Sequence, residues 1–223
     1  MPITKTGTLI TAEFIVGDPK GNSWANAWGL DDVVAAGLGV VQEGSLYKFH
    51  ELNLLIKGSA TYFKALGSIL KFTGNETIRY AIDISNNGNL QFGEKTISGS
   101  ISKGCVIDCR DLGVNKHLNL GIFYGGIVMG SGTSYNRTIY NFNASIIENS
   151  VIMGVRTNVS STTWNIKNTN FVDCYNGVRN PASDSVYDNV IFNYCSFSMS
   201  FQGLTGSEIR NVKSVNAPFL AQL

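Results

Sequence analysis

A six-residue pattern, apolar-x-Asn-x-x-apolar, recurs through the last third of the chain and restricts the folds open to it. It runs Ile147-Glu148-Asn149-Ser150-Val151-Ile152, then Ile166-Lys167-Asn168-Thr169-Asn170-Phe171. Phe192-Asn193-Tyr194-Cys195-Ser196-Phe197 reads as a degenerate third copy, and Ile209-Arg210-Asn211-Val212-Lys213-Ser214 as a decayed fourth. The start-to-start spacings are 19, 26 and 17 residues. A period near 20 residues is that of stacked β architectures, in which each unit buries its apolar side chains only against its neighbours.

Composition agrees with a chain that turns often. Only 15% of its 223 residues are charged, against about a quarter in ordinary globular chains. Glycine (24) and asparagine (23) fill the deficit, and both tolerate the left-handed backbone that tight corners need. Hydrophobic residues make up 43% of the chain, ample for a core. The net charge of +1, without a basic run, argues against a nucleic-acid partner. No stretch approaches the ~20 apolar residues of a membrane span, so no membrane insertion is expected. Met1-Pro2-Ile3-Thr4-Lys5 is not the charged-then-apolar opening of a secretory signal.

Two segments differ in texture. Residues 1–50 are expected to form an N-terminal cap or attachment module. In it Thr8–Val16 alternates like a strand, two tryptophans (Trp24 and Trp28) follow, and Leu30 to Ala36 reads as a short helix stopped by Gly37. The acidic pair Asp31 and Asp32 suits that helix's first turn. Residues 51–223 are short apolar-alternating runs broken by Gly and Asn, with no room for long helices. At about 20 residues per circuit they predict roughly eight stacked circuits.

The Asn-cornered unit resembles the right-handed parallel β-helix of the pectate-lyase-like superfamily, and the fold class expected is therefore all-β. The resemblance implies a ladder of Asn149, Asn168 and Asn211 at one corner, with Tyr194 in the Asn slot of the third copy. It also implies an inward stack of Ile147, Ile166, Phe192 and Ile209, with Ile152, Phe171 and Phe197 beside it.

Enzymes of that superfamily are hydrolases or lyases, and each type asks for recognisable residues. Hydrolysis needs paired carboxylates about the scissile bond. The candidates are Asp83, Asp108, Asp111, Glu148, Asp173, Asp184 and Asp188; no catalytic residue is expected among them, and Asp108 and Asp111, neighbours in Ile107-Asp108-Cys109-Arg110-Asp111, are the alternative an enzyme would offer. Lyase chemistry needs a base beside a calcium-binding acidic cluster. Arg110, His117, Arg156 and Arg179 are candidate bases, but none has such a cluster, and Lys116-His117 beside Asn119 reads as a polar corner. Cys105, Cys109, Cys174 and Cys195 form no C-x-x-C pair and read as core thiols, the last two on adjacent circuits. No metal or cofactor is expected. Trp164, Tyr175, Tyr187 and Tyr194 suit the core or a subunit interface better than a sugar platform.

A compact N-terminal module ahead of a β-helix, low charge and no legible active site together resemble phage tailspikes and tail fibres. That resemblance implies a structural virion protein for attachment or assembly, a homotrimer in contact with other virion proteins, and a host-surface glycan as a further partner. The alternatives are a polysaccharide-degrading enzyme and a non-catalytic carbohydrate-binding module. The apolar ending, Ala217 to Leu223, is expected to cap the stack or dock on a partner.

Overall fold

The computed structural model describes residues 2–75, 79–133, 136–157, 164–179, 183–200 and 205–216, with the side chains of 177–179 and 197–200 excepted. The ending at 217–223 therefore lies outside the described residues, as do the side chains of Arg179 and Phe197. The chain is all-β, and most of its strands join one large, mostly parallel sheet.

Each pass of the chain pairs with the pass before it, and the pairings fall into three columns. The first face begins at Leu46–His50 and continues through Ile69–Gly74, Val106–Leu112, Ile127–Met129 and Val151–Met153. It ends in the later halves of Asn165–Val172 and Val186–Asn193, then Lys213–Val215. The second face joins Leu9–Glu13, Asn53–Lys57, Tyr80–Ser85, Lys116–Tyr124 and Ile139–Glu148. The third face starts at Tyr62–Ala65 and Asn89–Phe92. It then takes the ends of the strands Lys116–Tyr124 and Ile139–Glu148, the starts of Asn165–Val172 and Val186–Asn193, and finally Glu208–Arg210.

Every face sends one row of side chains into a shared core, because successive residues of a strand point to opposite sides. On the second face the row is Ile10, Leu54, Ile82, Leu118 and Phe142, all fully buried. On the first it is Tyr47, Leu70, Ile107, Val128, Ile152, Phe171 and Phe192, ending at Ser214. On the third it is Ala65, Phe92, Phe123, Ile147, Ile166, Tyr187 and Ile209. Aromatic rings stack directly between neighbouring passes, with Phe171 and Phe192 5.1 Å apart and Phe49 and Phe72 4.6 Å apart.

These registers correct the expected stack. Phe192 lies under Phe171 on the first face, not under Ile166; Tyr187 takes that place. The third copy of the unit is therefore Tyr187-Asp188-Asn189-Val190-Ile191-Phe192, and the spacings become 19, 21 and 22 residues. Ile209 is in register with Tyr187 yet 43% exposed, because it belongs to the last described strand of its column. Tyr194 stands at a different corner, two residues past the first-face row, in the slot that Gly154, Asp173 and Asn216 fill in neighbouring passes. All four have positive φ, from 49° to 64°.

At the corner between the third and first faces, Asn149, Asn168, Asn189 and Asn211 have φ of 51°, 48°, 53° and 52°. Asn189 joins the three expected there and donates its amide to Asn168 Oδ1 at 2.9 Å. These side chains lie at the surface rather than in the core. Their corner backbone bonds to the next pass, as where Asn149 N–H donates to the Lys167 carbonyl at 3.0 Å.

The N-terminal segment packs its apolar residues, Ile3, Ile10, Trp28, Leu30 and Val33 among them, into the same core. Ile3–Thr6 and Leu9–Glu13 form an antiparallel hairpin whose second strand continues into the second face. The helix Leu30–Ala35 buries Leu30 and Val33, and Asp32 caps it by accepting the Gly29 N–H at 2.7 Å. Trp28 bridges to Phe63 at the head of the third face. Parallel pairing runs from Leu9–Glu13 on the second face and from Leu46–His50 on the first.

Candidate functional site

The carboxylates singled out for catalysis are held in ion pairs or local hydrogen bonds. Asp108 and Asp111 share the strand Val106–Leu112 on the outer first face. Asp108 accepts both Nε and Nη2 of Arg110 at 2.9 Å, and the Arg110 backbone N–H at 3.1 Å. Asp111 pairs with Lys71 at 2.6 Å. The Arg110 hydrogen bonds outweigh burial and hold Asp108 below the ordinary carboxylate range. A carboxyl kept ionised this firmly is a poor general acid, which must carry a proton near neutral pH.

The other acids are spread over separate sites. Glu148 pairs with Lys95 at 2.5 Å and Asp173 with Arg137 at 3.3 Å. Asp188 accepts from Asn211 at 3.4 Å, and Asp184 occupies a positive-φ turn. Of the candidate bases, Arg156 is buried with its guanidinium 4.0 Å above Tyr140 and 5.5 Å from Tyr175, and Arg110 is tied to Asp108. Trp164 and Tyr187 are core residues, Tyr175 is half-buried, and Tyr194 is 63% exposed. All four cysteines are free and buried. Among the described residues, no group of three His, Cys, Asp or Glu could hold a metal ion, and no helix is long and apolar enough to cross a membrane.

The outer second face concentrates polar groups on neighbouring passes. Tyr80, His117 and Asn141 are in register on three successive passes; beside them Asn119 pairs with Asn143 and reaches Asp83 through its side chain. His117 thus lies within the strand Lys116–Tyr124, not at a corner. Its Nδ1 sits 3.3 Å from Asn141 Nδ2. In this arrangement a neutral imidazole that accepts the Asn141 amide at Nδ1 carries its proton on Nε2. Burial, then the charge of Arg79, lowers the His117 pKa and favours this neutral form. Tyr80 packs edge-on against the ring at 4.9 Å. Asp83 accepts Asn119 Nδ2 at 2.6 Å, which turns the Asn119 oxygen away from the carboxylate.

Next to these rows lies a groove of about 440 Å³, with Asn86, Asn87, Asn119, Asn143 and Ser145 around Ile84. Asn86 and Asn87, at φ 53° and 60°, make the tight turn that forms its rim. Sequence reading missed the groove because Asp83, Asn119 and Asn143 are distant along the chain, and each is an unremarkable outward residue of its own strand.

A second cleft of about 440 Å³ opens between the cap and the head of the stack. Its charged groups are largely paired: Lys20 meets Asp32 at 2.6 Å, and the Tyr47 hydroxyl donates to Asp31 at 2.6 Å. Burial and Asp31 together push Tyr47 up to about 12. Trp24 is taken up by Tyr62, edge-on at 4.9 Å, and by Lys64 Nζ, 5.7 Å from its ring. This cleft has the character of a cap seam. No family model, curated protein or solved structure matches the chain.

Proposed function

We propose that the chain is a right-handed parallel β-helix serving as a structural appendage protein of a virus particle, of the tailspike or tail-fibre kind, that acts by attachment and self-association rather than by cleaving polysaccharide. The three columns of pairing, with their repeated corners, support the β-helix.

The observation that carries the self-association is the outer surface of the first face. Leu46, Ile69, Val106, Ile127 and Val151 follow one another in register along it, on the opposite side of each strand from the buried row. Ile69 is 38% and Ile127 37% exposed. Parallel sheets are ordinarily covered on both faces, and contiguous exposed apolar surface marks an association site. The ion pairs that hold Asp108 and Asp111 favour this reading over the hydrolytic one.

The test is the solution mass by light scattering coupled to gel filtration. A trimer near three times 24.2 kDa, reduced to monomer by Ile127→Glu with an unchanged circular dichroism spectrum, agrees with the proposal. A parent protein that is monomeric at high concentration contradicts it. Release of reducing ends or unsaturated products from a polysaccharide panel would favour the enzyme instead.

A further inference from the structure

Cys174 and Cys195 lie side by side on neighbouring passes of the stack. The parallel register of Asn165–Val172 with Val186–Asn193 continues beyond both strands. Asp173 N–H donates to the Asn193 carbonyl and Ser196 N–H to the Cys174 carbonyl, each at 3.0 Å. That register leaves the two cysteines one strand spacing apart, about 4.8 Å. A disulfide spans Cα separations of about 4.4–6.8 Å when the two side chains point the same way. Both turn into the core, Cys174 fully buried and Cys195 1% exposed, and their thiols are within hydrogen-bonding reach of each other. The other two cysteines are not so placed. Cys105 and Cys109 are four residues apart along one extended run, about 13 Å, and Cys105 Sγ donates to the Ser68 carbonyl at 3.0 Å.

The two sulfurs differ in reactivity. Burial raises the Cys174 thiol well above the ordinary range, and its hydrogen bond to Cys195 lowers the Cys195 thiol. Cys195 is therefore the sulfur that gives up its proton and acts as nucleophile. Access comes through the neighbouring pass. Tyr194, beside Cys195, is 63% exposed, and its N–H donates to the Val215 carbonyl at 3.1 Å. The strands of that pass, Glu208–Arg210 and Lys213–Val215, carry mostly exposed side chains and bury little apolar surface. Segments with so few buried contacts open locally at low cost, and a reagent hardly larger than water then reaches the sulfur.

We propose that Cys174 and Cys195 are a redox site, at which a peroxide forms a reversible disulfide that staples one pass of the stack to the next. The Cys195 thiolate attacks one peroxide oxygen; the O–O bond breaks, hydroxide leaves, and Cys195 becomes a sulfenic acid. The Cys174 sulfur then attacks the Cys195 sulfur. The S–S bond forms, the S–O bond breaks, and the hydroxyl leaves as water with the Cys174 proton. The hydroxide takes up the proton first lost by Cys195, so two thiols and one peroxide give one disulfide and two waters. A dithiol reductant reverses the step by exchange. The site needs only the register of two passes, so it stands or falls separately from self-association.

The experiment treats the reduced, folded full chain with hydrogen peroxide, alkylates the remaining thiols in denaturant and maps the peptides. Free thiols should fall from the four of the reduced chain to two. Cys174 and Cys195 should appear in one linked peptide, with Cys105 and Cys109 alkylated and the chain unchanged in mass class on non-reducing electrophoresis. The melting temperature should rise by about 5–10 °C, because the closed loop restricts the unfolded chain, and dithiothreitol should return it. Cys174→Ala should show no linked peptide and no rise, and its Cys195 should be trapped by dimedone as the sulfenic acid. If that variant does not fold, the peptide map of the parent chain decides. The proposal is overturned if all four thiols survive excess peroxide, if Cys174 and Cys195 are oxidised to sulfinic acids without a link, or if the link joins separate chains.

Discussion

The first half of the stack and the second half cut the same corner with different residues. In the later passes the slot two residues after the third-face row holds Asn149, Asn168, Asn189 and Asn211; in earlier ones it holds Gly67 and Gly125, at φ 62° and 59°. Ala65-Leu66-Gly67-Ser68-Ile69-Leu70 and Phe123-Tyr124-Gly125-Gly126-Ile127-Val128 are therefore copies of the unit that shows as Ile147–Ile152. What persists is a left-handed backbone, which Gly adopts freely and Asn tolerates. Between the two glycine copies, the corner at Gly93 opens into an antiparallel hairpin, Glu94–Lys95 with Ile101–Lys103. That hairpin is pinned to the stack where Lys95 meets Glu148 and lies 5.5 Å from the Tyr124 ring. The early half thus varies its corners and accepts an insertion, whereas the late half repeats one solution.

Four substitutions bear on this comparison, most sharply at Tyr187. Tyr187 is fully buried in the third-face row, and Tyr187→Ala should cost about 3–5 kcal/mol in urea unfolding, as for other large core aromatics. A loss below about 1 kcal/mol would undo the register that makes Asn189 a corner residue. Gly93→Ala should cost about 3 kcal/mol, because its Cβ would fall 2.0 Å from the Tyr124 carbonyl oxygen, where only backbone movement relieves the clash.

Asn168→Leu should cost about 1–3 kcal/mol, combining a branched side chain at φ 48° with loss of the hydrogen bond from Asn189. An unchanged melting temperature would remove the ladder from the account of stability. The smallest effect belongs to Gly67→Asn. Nothing lies within 4 Å of a Cβ there, and φ 62° suits asparagine, so the change should stay within about 0.5 kcal/mol. A large loss would mean that the two halves are not interchangeable at this corner.

Legibility followed the kind of signal. Asn149 and Asn168 stood out because each lies between two apolar residues five apart, a local pattern that survives without tertiary information. Gly67 and Gly125 obey the same backbone rule, but glycine also marks turns of every other sort, so their copies were invisible. Phe192 was placed in the wrong row because Phe192–Phe197 imitates the unit's spacing as well as Tyr187–Phe192 does. Only the pairing of Phe171 with Phe192 separates them. Asp108 and Asp111 drew attention as neighbouring acids, yet Arg110 and Lys71, which engage them, appear in a sequence only as ordinary surface cations.

The sequence by itself determined a chain of short strands with left-handed corners and alternating buried residues, and hence an all-β molecule. Those properties arise from the conformational freedom of Asn and Gly and from the two-residue period of a strand, both local. The tertiary structure decided which residue stacks on which, how the hairpin at Gly93 is accommodated, and where the outward apolar row and the outward amides fall. Asp83, Asn119 and Asn143 meet only because three separate passes align. That alignment is set by the summed packing of Ile82, Leu118 and Phe142 beneath them, which no single stretch of sequence contains.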